Sequence, residues 1–530
     1  MNNYKNKLWP ITAALVFVLT TIVTAGLLMK VAGLNMLPMK YLGLVILAVV
    51  FLLLIIFLFS FVFPIKKKDT ENAEPAKKSV AKYVLRTVAM LLAIALVVVD
   101  VVGIQMVNKF EETMSNLVEE EDEVKIEEFV IGVYVRVNDK AESLEDAKRY
   151  DFGYSLAYDR NNTRKAIGVM ETELDRSLNL EEYNAIPAMV DAVLAEEKDA
   201  FILSAAYMTI LEDQEGYADL SDKVKCIHEC VVTTETEVVE REEENFDITK
   251  DPFIVFVSGH DVTFSATRAN SDVNILAVVN PTTKQVLLVN TPRDYYVEIS
   301  VSEDGALDKL THCGIYGVEC SMDTLNEFYD IDIRYYAQLN FTGFKRLIDA
   351  VGGISVYCEK DVMSAAGIAF QKGTNHLNGE EALAFVRERK QFGDGDNARG
   401  RHQMAVIKGL IAKMSSGSLL RNYDDVLDSM GRYFKCNVPQ EDISSLVKMQ
   451  LGDMAEWNVQ SYAVTGEGKN MTSYSLPDLK TYVMIPDEAM VEHAKTLIQM
   501  VYDGETIEKE DLKVPVVEEV ETEVEELTQD

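Results

Sequence analysis

Positive charge is in short supply in this sequence. It has 51 Lys and Arg against 86 Asp and Glu, a formal net charge of -35. A general nucleic-acid binder needs a positive surface to replace the counterions of the phosphate backbone, so no nucleic-acid partner is expected. Much of the acidity lies in residues 238–251 and 505–530, runs that read as a solvated linker and tail. Cysteine is sparse as well. Cys226, Cys230, Cys313, Cys320, Cys358 and Cys436 are scattered through 530 residues, which excludes the disulfide framework of a small secreted domain. The C-x3-C pair Cys226/Cys230 has only His228 beside it, with no companion ligands at zinc-site spacing. Buried or locally paired thiols are the expectation.

Long apolar runs are present, at the N-terminus. Residues 11–29, 41–63 and 83–107 are each close to the ~20 apolar residues that cross a hydrocarbon core of about 30 Å at about 1.5 Å per residue. The first run follows Lys5 and Lys7 but has no small-residue cleavage site, and two further runs follow it, so it reads as an anchor. Lys66, Lys67, Lys68, Lys77, Lys78, Lys82 and Arg86 concentrate positive charge between the second and third runs. The positive-inside rule places that loop and the N-terminus in the cytoplasm, and everything after about residue 107 outside a three-span cell membrane anchor. Asp100, in the third run, either faces a partner helix or sits near the interface, and the interface is favoured.

The pattern divides the chain into an anchor (1–107), a charged helical stalk (108–125), an accessory α/β region (126–235), a second α/β region (250–504) and an acidic tail (505–530). The accessory region opens on the strand-like 129–135 and contains no recognisable chemistry; it reads as a spacer or polymer-binding module. In the second region 253–257, 273–279 and 285–290 are apolar strands, the last two joined by the hairpin-like 280–284. Helices are expected near 321–329, 341–351, 379–385 and 397–414, with Asn378 as an N-cap and Gly352-Gly353 as a stop. Continuous buried strands interleaved with helices imply a sheet covered on both faces.

Into this acidic chain the second region places Arg268, Arg293, Lys309, Arg387, Arg389, Arg399 and Arg401. Arg293 follows an apolar strand and a proline, which puts it at a strand's carboxyl end, where open α/β sheets bind ligands. Arg387 and Arg389 share a face if the backbone is extended, and Arg399 and Gln403 share one on a helix, with Asp396 just before it. Guanidinium forks suit the oxygens of a pyrophosphate. Carboxylates among them make sense if a divalent cation (Mg2+ or Mn2+) bridges phosphate oxygens, with Asp261 and Asp272 as candidate ligands.

The motifs SDVNILAVVNP (271–281), TPRD (291–294), DKLTH (308–312), LIDAVGGI (347–354), GEEALAFVRER (379–389) and GDNARGRHQ (395–403) resemble, in order, those of the LytR–CpsA–Psr family. The resemblance implies an α/β/α sandwich with a mixed central sheet and a hydrophobic pocket for a polyprenyl chain. It implies a phosphotransferase that moves a phosphate-linked glycopolymer (teichoic acid, capsule or another wall polysaccharide) from a polyprenyl-pyrophosphate carrier in the membrane lipid to peptidoglycan. Arg293, Arg387, Arg389 and Arg399 match the family's pyrophosphate-contacting arginines, Lys309 its pocket lysine and Gln403 its head-group glutamine. Asp261 and Asp272 match its metal ligands, and Asp396 the acid by the reaction centre; either Asp272 or Asp396 would serve the acceptor hydroxyl. The sequence departs from the family where an arginine is common, with Asn270 in its place and Arg268 two residues earlier, and again at His260 and Val262 around Asp261. A non-catalytic carrier-binding or scaffold protein is the alternative reading. A transcriptional attenuator is disfavoured by the charge and the external placement.

Overall fold

The computed structural model describes residues 2–62, 75–118, 124–156, 159–212, 214, 216–237, 246–260, 270–302, 305–389, 391–392, 395–415, 423–430 and 433–514. Three helices open the chain: α1 (Asn2–Gly33), α2 (Met39–Phe57) and α3 (Pro75–Leu117). Within them, or just beyond, the stretches Trp9–Gly33, Met39–Val62 and Tyr83–Leu117 are long and apolar enough to cross a membrane. Asp100 does not sit at the interface as expected. It is buried and accepts a hydrogen bond from Thr24 of α1 at 2.5 Å, because a carboxylate in an apolar bundle is held best by a polar partner on a neighbouring helix. Of the basic 66–86 segment expected as a loop, residues 66–74 lie outside the described residues, and 75–86 are the first turns of α3 rather than a loop; Arg86 stacks over the Trp9 ring at 5.2 Å.

The segment expected as a charged stalk is not a free one. α3 runs unbroken to Leu117, and Phe110, Met114 and Leu117 are buried with Leu427 and Cys436 of the C-terminal region. Lys109 pairs with Asp428 at 3.0 Å, and Lys448 donates to the Asn35 side chain at 2.7 Å. One face of 108–117 is therefore apolar and docked while the other carries the charges, which charge counting alone could not separate.

The first sheet holds β1 (Val124–Arg136), β2 (Asp151–Tyr154), β3 (Asn179–Glu182), β4 (Ala200–Ser204) and β5 (Val224–Glu237), in the order β3-β2-β4-β1-β5. β2 lies parallel to β3 and β4, whereas β1 runs antiparallel to β4 and β5. Helices α4 (Arg160–Glu173), α5 (Ile186–Leu194), α6 (Ala205–Glu212) and the short α7 (Leu220–Lys223) cover it. Its α5–α6 core continues across the junction, taking in Ile315 and Leu476 of the second unit.

The second sheet contains β6 (Phe253–His260), β7 (Val273–Asn280) and β8 (Gln285–Asn290), then β9 (Tyr296–Glu298) and β10 (Leu307–Lys309) as a side ribbon, and β11 (Tyr335–Asn340). With the edge strands Phe434–Cys436 and Asn458–Ala463, its order is Phe434–Cys436, β11, β6, β7, β8, Asn458–Ala463. β11 is parallel to β6, and Asn458–Ala463 to β8; the other pairs are antiparallel, so the sheet is mixed. Alternate residues face opposite layers. Ile254, Phe256, Leu276, Val278, Leu287 and Val289 pack beneath α8 (Val318–Tyr329) and the helix Glu488–Tyr502. Ile275, Val286 and Leu288 face Met404, Ile407 and Ile411 on the other side. That second layer is built from α9 (Phe341–Ala350), α10 (Gly379–Arg387) and α11 (Asp396–Met414). The result is the α/β/α sandwich expected. Asn378 opens α10 with a reciprocal capping box to Glu381, and Gly352 and Gly353 end α9 at positive φ.

Residues 505–514 are not free tail. Ile507 is fully buried in the core, and its amide donates to the Gln285 side chain at 2.8 Å. The remainder, 515–530, lies outside the described residues.

The docking of α3 gives a first prediction. Leu117 is 1 % exposed, so Leu117→Ala will cost about 3 kcal/mol of stability. A thermal melt of the full chain in detergent checks this, and an unchanged midpoint would mean that the helix end is not seated on the domain.

Candidate functional site

Strand directions decide where the site lies. The carboxyl ends of β6 (His260), β8 (Asn290) and β11 (Asn340) and the amino end of β7 (Val273) meet at one edge of the second sheet. Asp272 immediately precedes β7 and is held by its amide to Gly259 O at 2.9 Å. Arg293 follows β8 through Thr291 and Pro292, and its guanidinium Nη1 pairs with Asp272 Oδ1 at 2.5 Å. Lys309, nearly buried, lies 3.3 Å from Asp294 Oδ1, and Asp294 is also 3.9 Å from Arg293 Nε. Two cations and two carboxylates therefore share one half-buried cluster.

Arg387 and Arg399 approach the same edge through packing contacts of the helices that carry them. Arg387 ends α10 and lies over the Phe341 ring at 4.3 Å, and Phe341 directly follows β11. Glu388 leaves the helix with an extended backbone and points inward, where it accepts from the Ala365 amide; Arg387 and Arg389 are both exposed on the opposite side. Arg399 stands in the first turn of α11, and Gln403 follows one turn later, buried. Between them is Gly400, where a Cβ would stand 2.3 Å from the Asn290 side chain at the end of β8. Only glycine permits that approach. His402, two residues on, is buried between the rings of Phe385 and Phe392 at 4.3 and 4.6 Å. Burial pushes its imidazole below the usual range, so it locks α10 to α11 as a neutral ring.

Asp261 and Arg268 lie outside the described residues, as does the side chain of Asp396; the backbone makes Asp396 the first residue of α11 rather than the residue before it. Among the described residues no group of three or more His, Cys, Asp or Glu side chains is placed to hold a metal ion. A divalent cation at this edge would need Asp261 beside Asp272. Asn270 is buried, and its side-chain oxygen has no hydrogen-bond partner among the described residues. His260 is pushed down to about 4 by burial, so it adds no positive charge near Asp272 at neutral pH.

Sequence reading gave no role to the network beneath Lys309. Asp308 is fully buried. It accepts from the Lys309 amide at 2.7 Å and the Ser475 amide at 2.8 Å, and from the Ser475 hydroxyl at 2.5 Å, with His312 Nδ1 2.6 Å away. Burial opposes ionisation of Asp308, but the neighbouring His312 and these hydrogen bonds outweigh it and hold the carboxyl below its usual range. The DKLTH motif marked Asp308 and His312, but nothing local pointed to Ser475, 167 residues away. The cysteines are all free thiols, Cys226 exposed and the rest buried.

A membrane-based α/β/α protein with arginines, a lysine and a glutamine gathered at its strand ends defines the class. The chain belongs to the LytR_cpsA_psr family, whose model matches residues 223–491. It is 35 % identical over 215 residues to the polyisoprenyl-teichoic acid–peptidoglycan teichoic acid transferase TagT of Bacillus subtilis (strain 168), covering 38 % of this chain and 65 % of that protein. It is 30 % identical over 279 residues to the corresponding transferase TagU of Bacillus cereus (strain AH820), covering 52 % of this chain and 86 % of TagU. The crystal structure of B. subtilis TagV is similar at 27 % identity, covering 49 % of this chain and 99 % of that one, with a TM-score of 0.41.

The Asp308 network yields a second prediction. A carboxyl held below its unfolded value contributes stability above about pH 4, and that stability is lost as pH falls through the folded value. Asp308→Asn will therefore destabilise the chain by about 2 kcal/mol at pH 7. Melting curves of variant and parent should converge below about pH 4; a constant gap down to pH 3 would show that the charge of Asp308 is not what the network uses.

Proposed function

We propose that this protein is an extracytoplasmic, membrane-anchored transferase that moves a phosphate-linked glycopolymer from a polyprenyl-pyrophosphate carrier to peptidoglycan. The observation that carries the proposal is the convergence of Arg293, Lys309, Arg387, Arg399 and Gln403 on the carboxyl edge of one sheet, in a chain of net charge -35. A group of cations at one edge of an otherwise acidic domain suits an anion there. The family membership and the activities for which TagT and TagU are named support the identity of that anion. The Lys- and Arg-rich 66–86 segment between the second and third apolar stretches supports a cytoplasmic N-terminus and an external catalytic domain.

In this reading Arg293, Arg387, Arg389 and Arg399, with Arg268 in the undescribed loop, grip the pyrophosphate oxygens. Lys309 and Gln403 complete the cradle. An acceptor hydroxyl attacks the phosphorus that carries the glycopolymer. A P–O bond forms to the acceptor, the bridging P–O bond to the carrier breaks, and polyprenyl phosphate leaves with that bond's electron pair. Asp272 or Asp396 orients the hydroxyl and takes its proton. Asp272 begins paired with Arg293, so a phosphate arriving at Arg293 competes for that guanidinium and frees the carboxylate. Mg2+ or Mn2+ held by Asp261 and Asp272 would offset further charge on the phosphate oxygens. With little covalent chemistry left to the protein, placement of positive charge is the main source of acceleration.

Arg293→Ala tests the assignment. Transfer from a synthetic polyprenyl-pyrophosphate donor by the full chain in detergent should fall by about a hundredfold or more, with the melting midpoint nearly unchanged. Transfer within a few-fold of the parent would overturn the assignment.

A further inference from the structure

Where the two α/β units meet, the surface opens into a cleft of about 620 Å3, within the range of about 300–1,000 Å3 common for small-ligand sites. Four tyrosines from separate elements line it: Tyr207 from α6, Tyr296 from β9, Tyr316 from the 3-10 turn after β10, and Tyr474 from the loop before Lys480–Pro486. The rings of Tyr316 and Tyr474 are 6.2 Å apart and tilted by 55°. Asp159 and Asp478 line the same cleft, and no Lys or Arg is among its described lining residues. Aromatic faces offer apolar contact to the C–H faces of a sugar ring, while phenol and carboxylate oxygens serve its hydroxyl and amide groups. The carboxylates repel a polyanion.

The cleft is tied to the cation cluster. In the β9–β10 ribbon Tyr296 is paired directly with Lys309, so the ribbon face that presents Tyr296 and Leu307 to the cleft also carries Lys309. A chain of hydrogen bonds runs from Tyr207 to Tyr316 at 3.2 Å, from Tyr316 to Ser475 at 3.2 Å, and from Ser475 to Asp308 beneath Lys309. The cleft is thus joined to Lys309 of the cation cluster and to Asp308 beneath it.

We propose that this cleft binds an uncharged, N-acetylated glycan chain and presents it as the acceptor. The binding claim stands on the cleft itself, and the acceptor role rests on the transferase reading. The accessory unit then supplies Tyr207 and Asp159 as one wall of an acceptor site, and the anionic glycopolymer being transferred lies elsewhere.

The test is equilibrium binding of the N-acetylglucosamine tetrasaccharide to the full chain in lipid nanodiscs, without donor. The expected result is saturable binding that Tyr474→Ala weakens by about tenfold, that Tyr474→Phe largely restores, and that a poly(glycerol phosphate) chain does not displace. Tyr474 is 40 % exposed, so neither variant should unfold; the exposed Asp478→Asn gives an independent loss of affinity. Absence of saturable binding, binding indifferent to both Tyr474→Ala and Asp478→Asn, or preference for the polyanion would each overturn the proposal. Arg293→Ala keeps the two readings apart. Glycan binding retained while transfer is lost supports both, and lost transfer without glycan binding in any variant removes only this one.

Discussion

At the start of α11 there is no room for a side chain on residue 400. A Cβ there would sit 2.3 Å from the Asn290 side-chain amide, so the helix backbone packs directly against the side chain that ends β8. That contact sets where Arg399 and Gln403 stand relative to Arg293, three residues beyond Asn290. His402 then carries the same helix against Phe385 and Phe392, which fixes the end of α10 and with it Arg387 and Arg389. One close backbone approach and one sandwiched ring thus gather residues spread over more than a hundred positions.

The charges gathered there are held in balance. Arg293 faces Asp272 and Lys309 faces Asp294, so the cluster is not left as bare repelling charge. In the proposed reading phosphate oxygens replace these partners when the anion arrives, which costs less than stripping water from free guanidinium groups. Beneath them, Asp308 ties the ribbon strand β10, the turn after it and the loop at Ser475 into one buried unit.

The layered fold was legible because its signals are local. The continuous apolar runs of β6–β8, the Asn378 cap and the Gly352-Gly353 stop each depend on a few neighbouring residues, and each has the structure its pattern implies. Three features escaped for a shared reason: their partners are distant in sequence. Asp100 meets Thr24 across helices, the charged face of 108–117 hid the apolar face seated on Leu427 and Cys436, and the acidic 505–514 segment buries Ile507. The arginines were recognisable by type, but their convergence was implied only by the family resemblance, since physically it depends on Gly400, Phe341 and His402, none of which carries charge at the site. The seating of α3 adds a constraint on the whole molecule. A site whose sheet edge strand, Phe434–Cys436, is packed against a membrane helix cannot swing freely above the bilayer, as suits a site for a lipid-borne ligand.

The central claim is that these cations form one pyrophosphate site. It is tested most directly by a double-mutant cycle on the affinity of farnesyl pyrophosphate for the full chain, using Arg293→Ala, Arg399→Ala and the double variant. The account predicts that each single change weakens binding by about tenfold or more, and that the double variant departs from additivity because both groups hold the same phosphates. Affinities that stay at the parent value in either single variant would contradict it.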